Sequence, residues 1–127
     1  MKNFTILIIE DNLEICENIS GILHWGNYKV IAAHEGRSGI ELARKLDPDL
    51  ILCDIMVPEL DGYEVLKILK KDPHTSGIPF VFLTAKAEKS DFRKGINMGA
   101  DDYIIKPFEG MELLKTVEMR IRNYRQL

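Results

Sequence analysis

Short, mostly apolar runs alternate along this chain with longer stretches in which apolar residues recur every three or four positions. The runs are Phe4–Ile9, Val30–Ala33, Leu50–Cys53, Phe80–Leu83 and Tyr103–Ile105. Each has the length of a strand and is apolar on both faces, the pattern of a strand covered by helices above and below. Between them, Ile15, Ile19, Ile22 and Leu23 share one helical stripe, and so do Leu114, Val117, Ile121 and Tyr124. Turn residues fall where the pattern changes: Gly26-Asn27, Asp47-Pro48-Asp49 and Gly77 to Pro79. Asp61 followed by Glu64 predicts a capped helix start. The reading is five strand-then-helix units, with no repeat, linker or low-complexity segment.

Such alternation predicts an α/β fold, one parallel sheet with helices on both faces. In sheets of this kind chemistry collects at the carboxyl edge of the strands. The residues that end the strands are therefore the candidates. They are Glu10-Asp11 after the first, Asp54 after the third, Thr84-Ala85 after the fourth and Lys106-Pro107 after the fifth. Parallel strands would gather three carboxylates, a hydroxyl and an ammonium at one edge. Three carboxylates at close range resist ionising together unless a cation compensates. Mg²⁺ suits that need, since it takes a few carboxylate oxygens and keeps positions for water and phosphate. The set has the parts for phosphoryl transfer, with Asp54 as the acceptor nucleophile.

Composition narrows the classes without choosing among them. The 127 residues carry 17 Lys+Arg and 20 Asp+Glu, a formal charge of −3, with 46% hydrophobic residues. That is one ordinary globular domain with no basic surface for gripping nucleic acid by charge, so no direct nucleic-acid contact is expected. The first apolar run stops at Glu10, too short for a signal segment or a membrane span, so a cytoplasmic protein with no membrane contact is expected. Cys16 and Cys53 fit no metal spacing and read as reduced, buried thiols. His24, His34 and His74 form no ligand pattern.

With these residues in place, the sequence resembles the receiver domain of bacterial two-component response regulators. The likeness rests on Glu10-Asp11, on Asp54 with Pro58 and Gly62 in D-I-M-V-P-E-L-D-G, on Thr84-Ala85, on Tyr103 in G-A-D-D-Y-I, and on Lys106-Pro107-Phe108. It runs from about Thr5 to about Arg122, so residues 1–127 are expected to be one receiver domain. It implies a flavodoxin-like (βα)5 three-layer sandwich with strand order 2-1-3-4-5. It also implies that Asp54 takes a phosphoryl group from a phosphohistidine on a sensor histidine kinase or phosphotransfer protein. Asp11, Asp54 and the backbone carbonyl of Met56 would bind Mg²⁺, with Glu10 acting directly or through water. Lys106, the Thr84 hydroxyl and the Ala85 N–H would hold the phosphoryl oxygens. Thr84 and Tyr103 would form the switch, remodelling the face of the fourth helix, fifth strand and fifth helix, which similar proteins use for homodimers or effector contacts. Such a module is not an enzyme beyond its own phosphorylation and slow autodephosphorylation.

Glu10 stands where the family more often has Asp, a longer arm with the same charge. Met56 and Lys86 flank the site at positions where similar domains vary, and the resemblance implies that variation there tunes phosphoryl lifetime. A haloacid-dehalogenase-like phosphatase would need an Asp where Met56 stands. A flavin-binding flavodoxin would need a phosphate cradle where Glu10 and Asp11 place negative charge. A pseudo-receiver with a vestigial site is the other alternative, against which the intact set counts.

More ordinary readings exist for each residue alone. Glu10-Asp11 could be helix-start carboxylates, Asp54 a turn residue, Thr84 a local hydrogen-bonding group, Lys106 a loop cation and Tyr103 a partly buried aromatic. Lys67, Lys70 and Lys71 read as a solvated face, and so do Arg120, Arg122 and Arg125. Trp25 is expected to pack on the core. The end of the chain, Arg122 to Leu127, remains helix-compatible, so two readings stay open, a stand-alone single-domain regulator and a segment of a longer one; the similarity of Thr84 to Phe108 to receivers of transcription factors leans towards the segment.

Overall fold

All five strands run parallel in one sheet, in the order β2-β1-β3-β4-β5. The computed structural model describes residues 3–85 and 89–125, with side chains from 93 to 122 in the second segment. The elements are β1 (Thr5–Ile9), α1 (Leu13–Trp25), β2 (Lys29–Ala33), α2 (Gly36–Leu46), β3 (Leu50–Asp54), α3 (Gly62–Lys71), β4 (Phe80–Thr84), α4 (Lys89–Asn97), β5 (Asp102–Ile105) and α5 (Gly110–Arg125). Every strand begins or ends within one residue of the apolar run that predicts it. Lys86 lies outside the described residues, as do the side chains of Tyr124 and Arg125.

The period-2 alternation of each strand divides the core in two. Leu7, Ile9, Ile51, Cys53, Phe80 and Phe82 face one way and meet Ala43, Val65, Leu66 and Leu69 of α2 and α3. Ile6, Ile8, Leu50, Leu52, Val81 and Leu83 face the other way and meet Ile19 and Leu23 of α1 and Leu113, Val117 and Ile121 of α5. The middle strands β3 and β4 are buried along their whole length, whereas β2 and β5 include exposed and half-buried positions because they form the edges. Cys16 and Cys53 are free and buried, and burial pushes both thiols up from their ordinary pKa.

The caps decide where the loops start. Asn12 caps α1, its side chain accepting from the Ile15 N–H at 3.0 Å. Asp61 and Glu64 form the reciprocal capping box that their spacing predicts. Asn27 and Asp47 take left-handed backbone after α1 and α2, at the turns the sequence marks.

Three expectations need correction. Trp25 does not cover the core: it is 76% exposed, because two residues beyond Leu23 is about 200° round the helix, on the far side. Arg120 is not merely a solvated cation: half-buried, its Nε and a terminal nitrogen both donate to Asp102 Oδ2 at 3.1 Å, pinning α5 to β5. Lys70 likewise donates to the Ser76 carbonyl at 3.0 Å rather than facing only water. Leu113, absent from the predicted stripe of α5, is fully buried with Val117 and Ile121 at four-residue spacing.

Candidate functional site

Parallel pairing brings the carboxyl ends of β1, β3, β4 and β5 together, and with them the predicted residues. Asp54 and Thr84 are the last residues of β3 and β4, while Glu10 follows β1 and Lys106 follows β5 directly. Glu10 and Asp54 are 1% and 9% exposed, unusual for carboxylates, and Thr84 is also buried. Asp11 is exposed at the mouth. Glu10, Asp11 and Asp54 each present an oxygen within 4.8 Å of the others.

Lys106 answers their charge. Its ammonium donates to Glu10 Oε1 at 2.6 Å and to Asp54 Oδ2 at 2.8 Å. The backbone holds the other oxygens: Met56 N–H donates to Asp54 Oδ1 at 3.0 Å and Asn12 N–H to Glu10 Oε2 at 3.3 Å. The Lys106 N–H also donates to the Thr84 carbonyl at 2.8 Å, which fastens the end of β4 to the loop after β5. Beside them opens a cleft of about 400 Å³ lined by Asp54, Met56, Thr84, Ala85 and Lys106, and on its outer side by Asp61, Tyr63 and Lys94.

The charges are unevenly settled. Burial, with Asp54 nearby, raises Glu10 to a pKa of about 6 despite the opposing pull of Lys106. Burial works against the Lys106 ammonium too, but its bonds to Asp54 and Glu10 prevail and leave its pKa raised. One ammonium against three carboxylates leaves the mouth, on the side of Asp11, short of positive charge. Opposite ligands of an octahedral Mg²⁺ sit about 4 Å apart. Only one pair among three donors can be opposite and adjacent ligands sit about 3 Å apart, so from within 4.8 Å the carboxylate oxygens close by up to about 2 Å around the ion, a rotamer-scale adjustment for the exposed Asp11, and the all-oxygen donor set fits Mg²⁺.

Local backbone explains why Asp54 stands where it does. A Cβ on Gly62 would meet the Asp54 carbonyl oxygen at 2.6 Å and Ile55 Cα at 2.8 Å. Glycine at this position lets α3 begin directly under the acidic residue, and Gly62 N–H donates to the Ile55 carbonyl at 2.8 Å. Asn12, not Glu10 or Asp11, supplies the side-chain cap of α1, while Glu10 accepts from the Asn12 N–H and so also faces the start of the helix.

Some residues at the site escape the sequence reading. His34 Nδ1 donates to the Glu10 carbonyl at 3.0 Å. It follows β2 directly, so extending the strand-end rule to the second strand finds it. Asp61, Tyr63 and Lys94 of the cleft wall arrive from α3 and α4, and no strand end points to them.

The chain is similar to known proteins over most of its length. Residues 6–118 match the model of the response regulator receiver domain, and the chain belongs to that family. It is 41% identical over 92% of its length to the DNA-binding dual master transcriptional regulator RpaA of Synechocystis, covering 48% of that protein. It is 37% identical to the DNA-binding response regulator MtrA of Mycolicibacterium paratuberculosis, again over 92% of this chain and 51% of the other. The chain thus spans about half the length of these regulators. Among solved structures, the receiver domain of the sensor histidine kinase PA1611 from Pseudomonas aeruginosa matches with a TM-score of 0.88 and 29% identity, covering 94% of this chain and 98% of that one. That structure has a magnesium ion coordinated in its active-site cleft. The flavodoxin-like fold and strand order implied by the resemblance are those observed. No helix among the described residues is long and apolar enough to cross a membrane.

Proposed function

We propose that this receiver takes a phosphoryl group onto Asp54 from a phosphohistidine of a sensor histidine kinase or phosphotransfer protein, in a reaction that needs Mg²⁺. The observation that supports this most is the cluster itself: Lys106 within hydrogen-bond reach of both Asp54 and Glu10, with Asp11 completing three carboxylates within 4.8 Å. Asp11 and Asp54 would hold the ion with the Met56 carbonyl, and Glu10 directly or through water. When bound, Mg²⁺ neutralises charge on the transferring oxygens.

One Asp54 oxygen attacks the phosphorus while the P–N bond to the donor imidazole breaks, the leaving nitrogen keeping the electron pair. Met56 N–H keeps the carboxylate oriented. Lys106, already at Asp54 Oδ2, exchanges its carboxylate contact for a phosphoryl oxygen. The Thr84 hydroxyl and Ala85 N–H, both on the cleft wall, donate to the remaining oxygens. The Thr84 carbonyl and Lys106 N–H are bonded, so a pull on Thr84 reaches β5 and Tyr103. The face of α4, β5 and α5 would carry the signal to a second copy or to an effector domain, a reading that the DNA-binding description of the relatives RpaA and MtrA supports.

Incubation with Mg²⁺ and acetyl phosphate tests this reading by intact mass. A single phosphoryl adduct is expected in the wild type and none in Asp54→Asn. Absence of an adduct with both acetyl phosphate and a phosphorylated kinase would overturn it in favour of a pseudo-receiver.

A further inference from the structure

Tyr103 lies inward. Its ring centroid is 5.4 Å from that of Phe82, which is in turn 5.2 Å from Tyr63, and Lys94 sits 4.2 Å above the Tyr63 ring. The end of α4 is thus laid across an aromatic row drawn from α3, β4 and β5. At the point where α4 crosses Tyr103 the helix has a glycine. A Cβ on Gly95 would lie 2.0 Å from the Tyr103 hydroxyl oxygen, 2.8 Å from its Cζ and 2.9 Å from Phe82 Cε2.

Backbone conformation does not explain this glycine. Residue 95 is within a regular helix, where any L-residue fits and glycine is disfavoured. Nor is the helix free to lift away. Ala100 N–H donates to the Gly95 carbonyl at 2.9 Å and Gly99 N–H to the Ile96 carbonyl at 3.0 Å, with Gly99 at φ +107. This is a Schellman closure, and it ties residue 95 to the loop that leads into β5. Of the two partners the Tyr103 side chain is the one able to move, since β5 is an edge strand and Tyr103 is only half-buried.

We propose that Gly95 is a positioning residue: by lacking a Cβ it keeps the inward seat of Tyr103 open, so that the switch aromatic rests inside before any phosphoryl group arrives. A side chain at 95 fills the seat and turns Tyr103 outward. The link to signalling rests on the phosphoacceptor reading of Asp54; the link between Gly95 and the ring does not. Residue 95 then sets the balance between the two positions of Tyr103, and with it the resting output of the α4, β5 and α5 face.

The test uses the full chain without any phosphodonor. Nitration by tetranitromethane, read peptide by peptide with Tyr28 as internal reference, should label Tyr103 severalfold faster in Gly95→Ala than in the wild type. An unchanged ratio in folded protein overturns the proposal. A double-mutant cycle in urea supplies the second readout. Intrinsic helix preference favours alanine at 95, so a loss of stability reports the clash. That loss should shrink in a Tyr103→Leu background; an equal loss in both backgrounds overturns the proposal by assigning the clash to Phe82. If Gly95→Ala does not fold, the double variant with Tyr103→Leu should, and failure of both has the same overturning meaning. These readouts never involve Asp54. A missing phosphoryl adduct therefore defeats the function proposed above and leaves Gly95 untouched, and the converse holds.

Discussion

Lys106 donates to Asp54 Oδ2 at 2.8 Å although 52 positions separate them in the chain. Every element between β3 and β5 must fold correctly for that contact to form, and the same ammonium reaches Glu10 from 96 positions away. The contact records the fold and the charge balance of the site together.

Removing the ammonium should separate these roles. With a side chain 15% exposed, Lys106 is nearly buried, and two carboxylates lose their partner at once. Lys106→Ala is expected to destabilise the metal-free protein by about 1–3 kcal/mol at neutral pH, somewhat under the usual cost of breaking a fully buried pair because protonation of Glu10 relieves part of the strain. Mg²⁺ should still bind, and phosphorylation should no longer change partner binding or the accessibility of Tyr103. Unchanged phosphorylation-dependent partner binding in this variant would contradict the account.

Glu10 gives the site a pH dependence with a definite sign. Its pKa is about 6 in the folded protein against an ordinary value of 4.5, so between these values the folded state binds more protons than the unfolded one. The stabilising contribution of this group is full below pH 4.5 and is lost as pH rises through 6 in the absence of metal. Mg²⁺ competes with that proton. The rise in Tm on adding Mg²⁺ should therefore be larger at pH 7 than at pH 5, and equal rises would argue against carboxylate binding of the ion.

Asp11 and Asn12 are adjacent but have different tasks. Asn12→Ala loses the cap on Ile15 N–H and should cost about 1 kcal/mol in urea unfolding, with Mg²⁺ affinity little changed. Asp11→Asn should do the reverse, weakening Mg²⁺ while leaving metal-free stability the same or higher, since it removes one of three mutually repelling charges. Similar Mg²⁺ titrations for both variants would refute this division.

Gly62 tests how tightly the acidic residue is seated. Both nearest atoms to an added Cβ are backbone, at 2.6 and 2.8 Å, so neither yields by a rotamer change. Gly62→Ala should cost about 1–3 kcal/mol and slow phosphorylation of Asp54 by shifting the end of β3. A variant of wild-type stability and phosphorylation rate would show that the close approach is not needed.

The strands were legible because each is a short apolar run, and the site because its residues end those runs. Glu10, Asp54, Thr84 and Lys106 needed no knowledge of packing beyond one parallel sheet. Residues whose roles depend on long-range partners were not legible. Arg120 looks like any surface arginine until α5 lies along β5 and meets Asp102. Gly95 looks like a weak helix position until Tyr103 lies beneath it. Trp25 shows the opposite failure: its chemistry suggests burial, and its phase on α1 turns it outward. His34 lay within reach of the strand-end rule, but a lone histidine beside no ligand pattern gives no chemical signal.

The most direct test locates the phosphoryl group. Protein phosphorylated in the presence of Mg²⁺ is reduced with borohydride, which converts an aspartyl phosphate to homoserine, and the peptide carrying residue 54 is sequenced by mass spectrometry. The account predicts homoserine at position 54 alone, absent when Mg²⁺ is withheld. Conversion at another residue, or a Mg²⁺-dependent adduct that persists in Asp54→Asn, would contradict it.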